Sequence, residues 1–151
     1  MRLVDANVLI YAIDADSPHH RPARRWLEDA LSGTTPIGFA WVVVLAFLRL
    51  TTRPGILQRP LPLDRAVAFV DEWLAQPCVR IVSPGDGHWR VLRKLIRDAG
   101  TAGSLTSDAH LAALAIELGA AICSTDGDFE RFAGVERVSP LDSKRSRRER
   151  G

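Results

Sequence analysis

The chain has 151 residues and a formal net charge of +2 at pH 7. This length fits one compact domain and excludes a large multidomain enzyme. Hydrophobic residues make up 46% of the sequence, which is enough for a packed core and excludes disorder throughout the chain. The longest apolar run, Ile37–Leu48, is shorter than the ~20 residues that cross a bilayer. An acidic residue at Asp5 comes too early for a signal peptide, and two cysteines do not make a disulfide framework, so we expect a reduced, cytoplasmic protein.

Basic residues are concentrated at the C-terminal end of the chain. Residues 143–151 carry five basic side chains and one acid, so the preceding part is slightly acidic. We expect a folded domain over residues 1–141 and a disordered basic tail over residues 142–151. Because the body has almost no net charge, its function must depend on local sites rather than on overall charge.

The N-terminal half alternates short apolar runs with helical patterns. A strand is predicted at Leu3–Val4 and a short helix at Val8–Ala12. The apolar spacing from Ala23 to Leu31 predicts an amphipathic helix that ends at Gly33. The next elements are predicted to be a strand at Ile37–Gly38, a helix at Ala40–Leu50 and a helix spanning Ala66–Leu74.

The C-terminal half continues the alternation. The predicted elements are a strand at Val79–Val82, a helix between Gly85 and Gly100, a helix around Leu111–Leu118, and strands at Ala121–Ser124 and Val135–Val138. Short strands separated by helices indicate an α/β fold with a mainly parallel central sheet covered on both faces. In such sheets ligands bind beyond the carboxyl ends of the strands.

Carboxylates follow the predicted strands at this edge of the sheet. Asp5 follows the first strand, Asp126 and Asp128 follow the strand at Ala121–Ser124, and Asp108 lies in the first turn of the helix before it. Each acid has an ordinary explanation as a helix cap, a dipole partner or a turn residue. None of these explanations accounts for the placement of all of them at one sheet edge.

Crowded carboxylates ionise together only when a cation compensates their charge. An all-oxygen set suits Mg²⁺ or Mn²⁺, which can activate water and stabilise charge on a phosphoryl oxygen. The polar residues Asn7, Thr106, Ser124 and Thr125 lie beside the acids in the sequence and are expected to orient them. This pattern indicates hydrolysis of phosphodiester bonds.

The same residues carry a resemblance to a known family. The segments are Leu3–Tyr11, Phe47–Arg49, Thr52–Pro54, Thr106–Ala112 and Ser124–Phe129. Over residues 1 to 141 the chain resembles a PIN-domain ribonuclease of the VapC toxin type. The resemblance implies a three-layer α/β/α fold with four or five short strands.

The resemblance also implies an activity and its partners. Proteins of this family are endoribonucleases of type II toxin–antitoxin systems that use Mg²⁺ or Mn²⁺ held by a cluster of acids. They usually form homodimers and are silenced by a small VapB-like antitoxin. By match, Asp5, Asp108 and Asp126 take the catalytic and metal-binding roles. Asp128 is a supporting carboxylate, together with the polar residues Asn7, Thr106 and Thr125. Single-stranded or loop RNA is the expected substrate, because a shallow site needs an exposed backbone.

The sequence departs from the family at one position. The family carries a Glu on the helix after the second strand, and Ala40–Leu50 contains no acid, so that Val44 or Ala46 takes its place. Either fewer protein ligands hold the metal, or Asp128 compensates, or the activity is weak. The alternative function is therefore a weak or inactive PIN-domain module that mainly binds its antitoxin or RNA.

Other residues leave open alternatives or favour the core. Arg49 ends an apolar helix and is expected either to contact phosphate of the RNA or to bond the last helix carbonyls. Further candidates for the rim of an RNA site are Arg21, Arg24, Arg25, Arg53 and the basic tail. The four tryptophans stand at helical-stripe or apolar positions and are predicted to belong to the core: Trp26, Trp41, Trp73 and Trp89.

Overall fold

The computed structural model describes residues 1–142, so the tail predicted over 142–151 lies outside the described residues except for its first position. A five-stranded sheet in the order β3-β2-β1-β4-β5 lies between helical layers, and every pair of neighbouring strands is parallel. The predicted α/β class and three-layer arrangement are confirmed. The elements are β1 Arg2–Val4, α1 Ala6–Ile13, α2 His20–Ser32, β2 Ile37–Ala40, α3 Trp41–Thr52, α4 Leu63–Leu74, β3 Val79–Val82, α5 His88–Ala99, α6 Thr106–Leu118, β4 Ala121–Cys123 and β5 Arg137–Val138.

The strand β1 lies at the centre of the sheet and pairs with β2 on one side and β4 on the other. All four residues of β2 are buried, as expected for a parallel strand covered on both faces. Gly38 is required there, since a Cβ atom would lie 2.4 Å from Leu3 Cδ2 and 3.1 Å from Val82 Cγ1. This close packing brings the carboxyl ends of β1 and β2 together.

An aromatic cluster joins the sheet to two helices on one side. The Phe47 ring of α3 lies edge-on to the Trp73 ring of α4, with centroids 4.8 Å apart. Trp73 also contacts Phe69 of α4 and Phe39 of β2, at centroid distances of 5.8 Å and 6.3 Å. Phe47 and Phe39 are almost fully buried, so the cluster forms part of the core.

The structure corrects two of the four tryptophan predictions. Trp73 is buried and Trp26 is half-buried, in agreement with a core position. Trp41 and Trp89, however, are 53% and 66% exposed. Both occupy the first or second residue of their helices, where the helix meets solvent rather than the sheet.

Two helix boundaries confirm the glycine signals. α5 and α6 end at Gly100 and Gly119, which both adopt the left-handed conformation at the C-cap. Among the helices of residues 1–142, none has the length and apolar character needed to cross a membrane.

Candidate active site

Asp5 lies at the end of β1 and begins α1. Its backbone is extended, and its Oδ1 accepts a hydrogen bond of 2.8 Å from the backbone N–H of Ala6, so the residue caps the helix. Its own N–H donates to the carbonyl of Cys123 on β4, at 2.9 Å. Asp5 therefore caps α1, as the sequence allowed. Its second carboxylate oxygen, Oδ2, accepts hydrogen bonds from other residues.

A buried serine joins the ends of β1 and β4. The hydroxyl of Ser124, which is fully buried, donates to Asp5 Oδ2 at 2.8 Å and accepts from Asp126 N–H at 3.0 Å. Asn7 Nδ2 donates to both Ser124 Oγ and Asp5 Oδ2, at 3.1 Å and 3.2 Å. Asn7 Oδ1 accepts from the backbone N–H of Thr125 at 3.2 Å. These bonds fix two segments that are more than 110 positions apart in the chain.

Three carboxylates gather beside this network. Asp108, Asp126 and Asp128 each have a carboxylate oxygen within 4.8 Å of those of the other two, and all three are half-buried. Asp126 caps a short 3-10 turn, Gly127–Arg131, by accepting from Asp128 N–H at 2.9 Å. Asp108 is in the first turn of α6, as predicted. Asp5 is outside this group of three, which we call the acidic trio.

The charges of the acids interact. Burial, followed by the negative charges of Asp5, Asp126 and Asp128 in that order, raises the pKa of Asp108 to about 6. Burial also raises the pKa of Asp5, against the bonds from Ser124 and Ala6 that lower it, and the charge of Asp126 adds to the rise. Asp5 is therefore electrostatically coupled to the trio although it lies outside it.

Little positive charge compensates these acids within residues 1–142. The one ion pair to the trio joins Arg131 Nε to Asp128 Oδ1 at 3.7 Å, and both side chains are about half exposed, where such pairs contribute little. A set of half-buried oxygen ligands in which neighbouring carboxylates raise the pKa of Asp108 fits a divalent cation, which would relieve the repulsion.

The helix α3 contributes no carboxylate to this site. Of the two positions considered for the family's Glu, Val44 is buried and Ala46 is half-buried. Asp128 is instead the third member of the trio. This observation favours compensation by Asp128 over an unassisted pair of aspartates.

Three other predicted residues differ in their relation to the site. Thr125 contributes its backbone N–H, as described above, rather than its hydroxyl. Thr106 is exposed at the start of α6, and within the described chain its side chain forms no hydrogen bond. Arg49 is exposed in the last turn of α3 and bonds none of the helix carbonyls within residues 1–142, where the hydroxyls of Thr51 and Thr52 bond the carbonyls four residues earlier.

One positioning residue was missed at the sequence level. Arg137 of β5 donates from Nη1 to the carbonyl of Ser124 at 3.2 Å and from Nη2 to Glu130 at 2.9 Å. It thereby holds both ends of the segment that carries Asp126 and Asp128. No local sequence signal marks this role, because the parallel pairing of β4 with β5 creates the contact.

Comparison with known proteins gives consistent matches. The PIN domain profile matches residues 2–135. Ribonuclease VapC37 of Mycobacterium tuberculosis is 49% identical over 140 residues, which cover 93% of this chain and 97% of the relative. The crystal structure of VapC20 of M. tuberculosis, a sarcin–ricin loop cleaving toxin, superposes with a TM-score of 0.68 at 21% identity, covering 91% of this chain and 98% of that one. VapBC2 from Rickettsia felis, bound to a promoter DNA fragment, gives a TM-score of 0.67 at 15% identity, with coverages of 91% and 97%.

Proposed function

The chain belongs to the PIN domain family, and we propose that it is a metal-dependent endoribonuclease, the toxin of a type II toxin–antitoxin pair. The single observation that carries the proposal is the convergence of the acidic trio beside Asp5 at one sheet edge. A relative named as a ribonuclease at 49% identity supports the same activity.

We assign the metal ligands to Asp108, Asp126 and Asp128, with Asp5 as a fourth carboxylate whose charge acts on the same site. The proposed ion is Mg²⁺ or Mn²⁺, because hard oxygen ligands favour these ions. When bound, such an ion activates water and stabilises charge on the phosphate.

The chain's own residues keep the ligands in place. Ser124 and Asn7 hold the carboxylate of Asp5, while the backbone N–H of Asp128 fixes Asp126. Because the hydroxyl of Ser124 is buried, its bonds are protected from competition with water. Thr106, exposed at the start of α6 two residues before Asp108, is a candidate contact for the substrate, and Arg49 is a further candidate contact for phosphate.

An antitoxin partner is supported by a groove between α2 and α4. Its cavity volume is about 440 Å³, and apolar side chains such as Leu27, Leu31 and Phe69 line it together with the charged residues Arg24 and Glu72. An apolar floor with charged edges suits an amphipathic helix. The groove begins at the last residues of α1, whose first residues form the polar network of the site. A VapB-like antitoxin seated there would lie within a helix length of the acids.

The proposal also includes a homodimer that acts in the cytoplasm. Trp41 and Leu45 are one turn apart on α3 and are 53% and 62% exposed, and Leu63 and Val67 are similarly spaced and exposed on α4. Exposed apolar positions in neighbouring helices are typical of a surface that a partner covers.

The proposal is tested by inducible expression of the wild type and of Asp5→Ala in a host without the antitoxin. We expect growth arrest and RNA cleavage with the wild type only. Purified proteins are then compared for cleavage of total RNA in Mg²⁺ and in EDTA, with Asp142→Ala as a control, since Asp142 is exposed and outside the site. Equal growth and no cleavage for both proteins would contradict the activity. That result would support the alternative of an inactive module, which the lack of an acid on α3 favours.

A further inference from the structure

The outer face of α5 is strongly basic. Arg90, Arg93, Lys94 and Arg97 are all exposed, and their spacing of three, four and seven residues places them on one side of the helix. The opposite side, which includes the buried Leu95, packs toward the protein. We call this exposed set the basic face.

Most of this charge is unpaired. Lys94 forms an exposed pair with Asp98 at 2.6 Å. In the described part of the chain, no ion pair involves Arg90, Arg93 or Arg97. The charge of the basic face is therefore available to a ligand.

An aromatic ring extends the basic face. Trp89, which is 66% exposed, precedes Arg93 by four residues and Arg97 by eight, so the three side chains follow one line along the helix. A large exposed indole beside cations is typical of surfaces that bind single-stranded nucleic acid, where bases stack on the ring and cations meet the phosphates.

The basic face is fixed in relation to the acidic trio. His88, the first residue of α5, lies with Nδ1 2.6 Å from Glu117 Oε2 and with Nε2 2.8 Å from His110 Nδ1, and both partners belong to α6. The first turn of α6 carries Asp108. At ~3.5 Å per residue, the seven steps from Ala99 to Thr106 span at most about 25 Å, so the end of α5 lies no farther than this from the first turn of α6.

We propose that the basic face of α5, with Trp89, binds the phosphodiester backbone of single-stranded RNA on its way to the acidic trio. The inference rests on the proposed ribonuclease function and adds the surface that holds the substrate. An acidic site repels RNA, so a separate cationic surface is needed to retain the strand. Along α5, Arg90 and Arg97 are about 10 Å apart, a length over which consecutive phosphates of one strand can be contacted.

The test uses a variant with Arg90→Gln, Arg93→Gln and Arg97→Gln. Binding to a fluorescein-labelled single-stranded RNA of about 20 nucleotides is followed by anisotropy in EDTA, from about 50 to 200 mM salt. Each lost phosphate contact lowers the slope of log K against log salt by ~0.7, so we expect the slope to fall by about 2 and the affinity at 100 mM salt to fall about 100-fold. Trp89→Ala is expected to weaken binding at least about fivefold.

A matched control changes the same charge elsewhere. The variant Arg59→Gln, Arg65→Gln, Arg80→Gln removes three exposed arginines that lie outside α5. An effect confined to the α5 variants supports the proposal. Equal losses in the control variant, or an unchanged slope in the α5 variant, would overturn it. An α5 variant that binds RNA normally but loses the antitoxin would also overturn it and assign the face to a protein partner.

Cleavage of the same RNA by the wild type in Mg²⁺ is measured separately. If the α5 variant cleaves the RNA as fast as the wild type, the proposal that the basic face binds RNA is refuted, and the proposed ribonuclease function stands. RNA binding through α5 without any cleavage would support the basic face and contradict the nuclease. Circular dichroism of all variants confirms that they are folded.

Discussion

The replacement Asp108→Asn should stabilise the metal-free protein at neutral pH and strongly reduce its stabilisation by Mg²⁺. The pKa of Asp108 is raised from 3.8 to about 6 in the fold, first by burial and then by three neighbouring carboxylates. Its stabilising contribution is complete below about pH 4 and is lost as the pH rises through 6, because the fold then holds an unfavourable charge. A shift of this size corresponds to about 3 kcal/mol, and screening of this half-exposed group by solvent reduces it to about 1 kcal/mol.

For a chain of this length, ~1 kcal/mol changes the melting temperature by about 2–4 °C. We therefore expect Asp108→Asn to melt about 2–4 °C above the wild type at pH 7.5 in EDTA, and at the same temperature at pH 4. With Mg²⁺ at ten times its Kd, the wild type should gain about 1.4 kcal/mol and the variant much less. Differential scanning calorimetry measures all three conditions, and Asp86→Asn, an exposed acid outside the trio, is the control. A lower melting temperature for Asp108→Asn at pH 7.5 in EDTA, or equal Mg²⁺ stabilisation of both proteins, would refute the reasoning.

Other substitutions probe the ligand set, the network and the sheet. Asp128→Ala should reduce Mg²⁺-dependent cleavage of RNA by at least about tenfold if it replaces the family's Glu, and an unchanged rate would exclude compensation. Ser124→Ala leaves Asp5 and the N–H of Asp126 without their shared buried partner, so urea denaturation should show a loss of about 1–3 kcal/mol, whereas a loss below about 0.5 kcal/mol would mean that water replaces the hydroxyl. Gly38→Ala forces a methyl group against Leu3 and should cost about 1–3 kcal/mol in the same assay, and a neutral result would show that β1 and β2 can separate without cost.

The fold was predictable because its signals are local and mutually consistent. Periodicity located the helices, and glycines at 100 and 119 marked two helix ends where the backbone is left-handed. The boundaries moved by a few residues: α4 begins at Leu63, before its apolar stripe, and β5 is shortened to Arg137–Val138. Both changes occur at element ends, which the side-chain pattern does not fix.

The candidate site was predictable only in its list of acids. The parallel-sheet rule places residues after strands at one edge, but it does not show which carboxylates come within bonding distance of one ion. Asp128 lies within the trio because the 3-10 turn after Asp126 returns its side chain to the site. Asp5 lies outside the trio, and both its oxygens accept hydrogen bonds. These outcomes depend on turn geometry and on Ser124. No sequence pattern distinguishes Ser124 from the other polar residues near the acids.

The basic face of α5 was missed for a different reason. In the sequence, the apolar residues of this helix predicted its position, whereas the cations named for an RNA site were Arg49 and arginines of other segments. The same periodicity that buries Leu95 necessarily gathers Arg90, Arg93 and Arg97 on the opposite side. The net charge of +2 does not reveal this separation, because it adds the negative charge of the acids at the sheet edge to the positive charge of the helix. The two groups nevertheless lie at different places on the protein. Because α6 carries Asp108 on one side and bonds His88 of α5 on another, the helix that helps to build the acidic site also sets the position of the cations proposed to bring RNA to it.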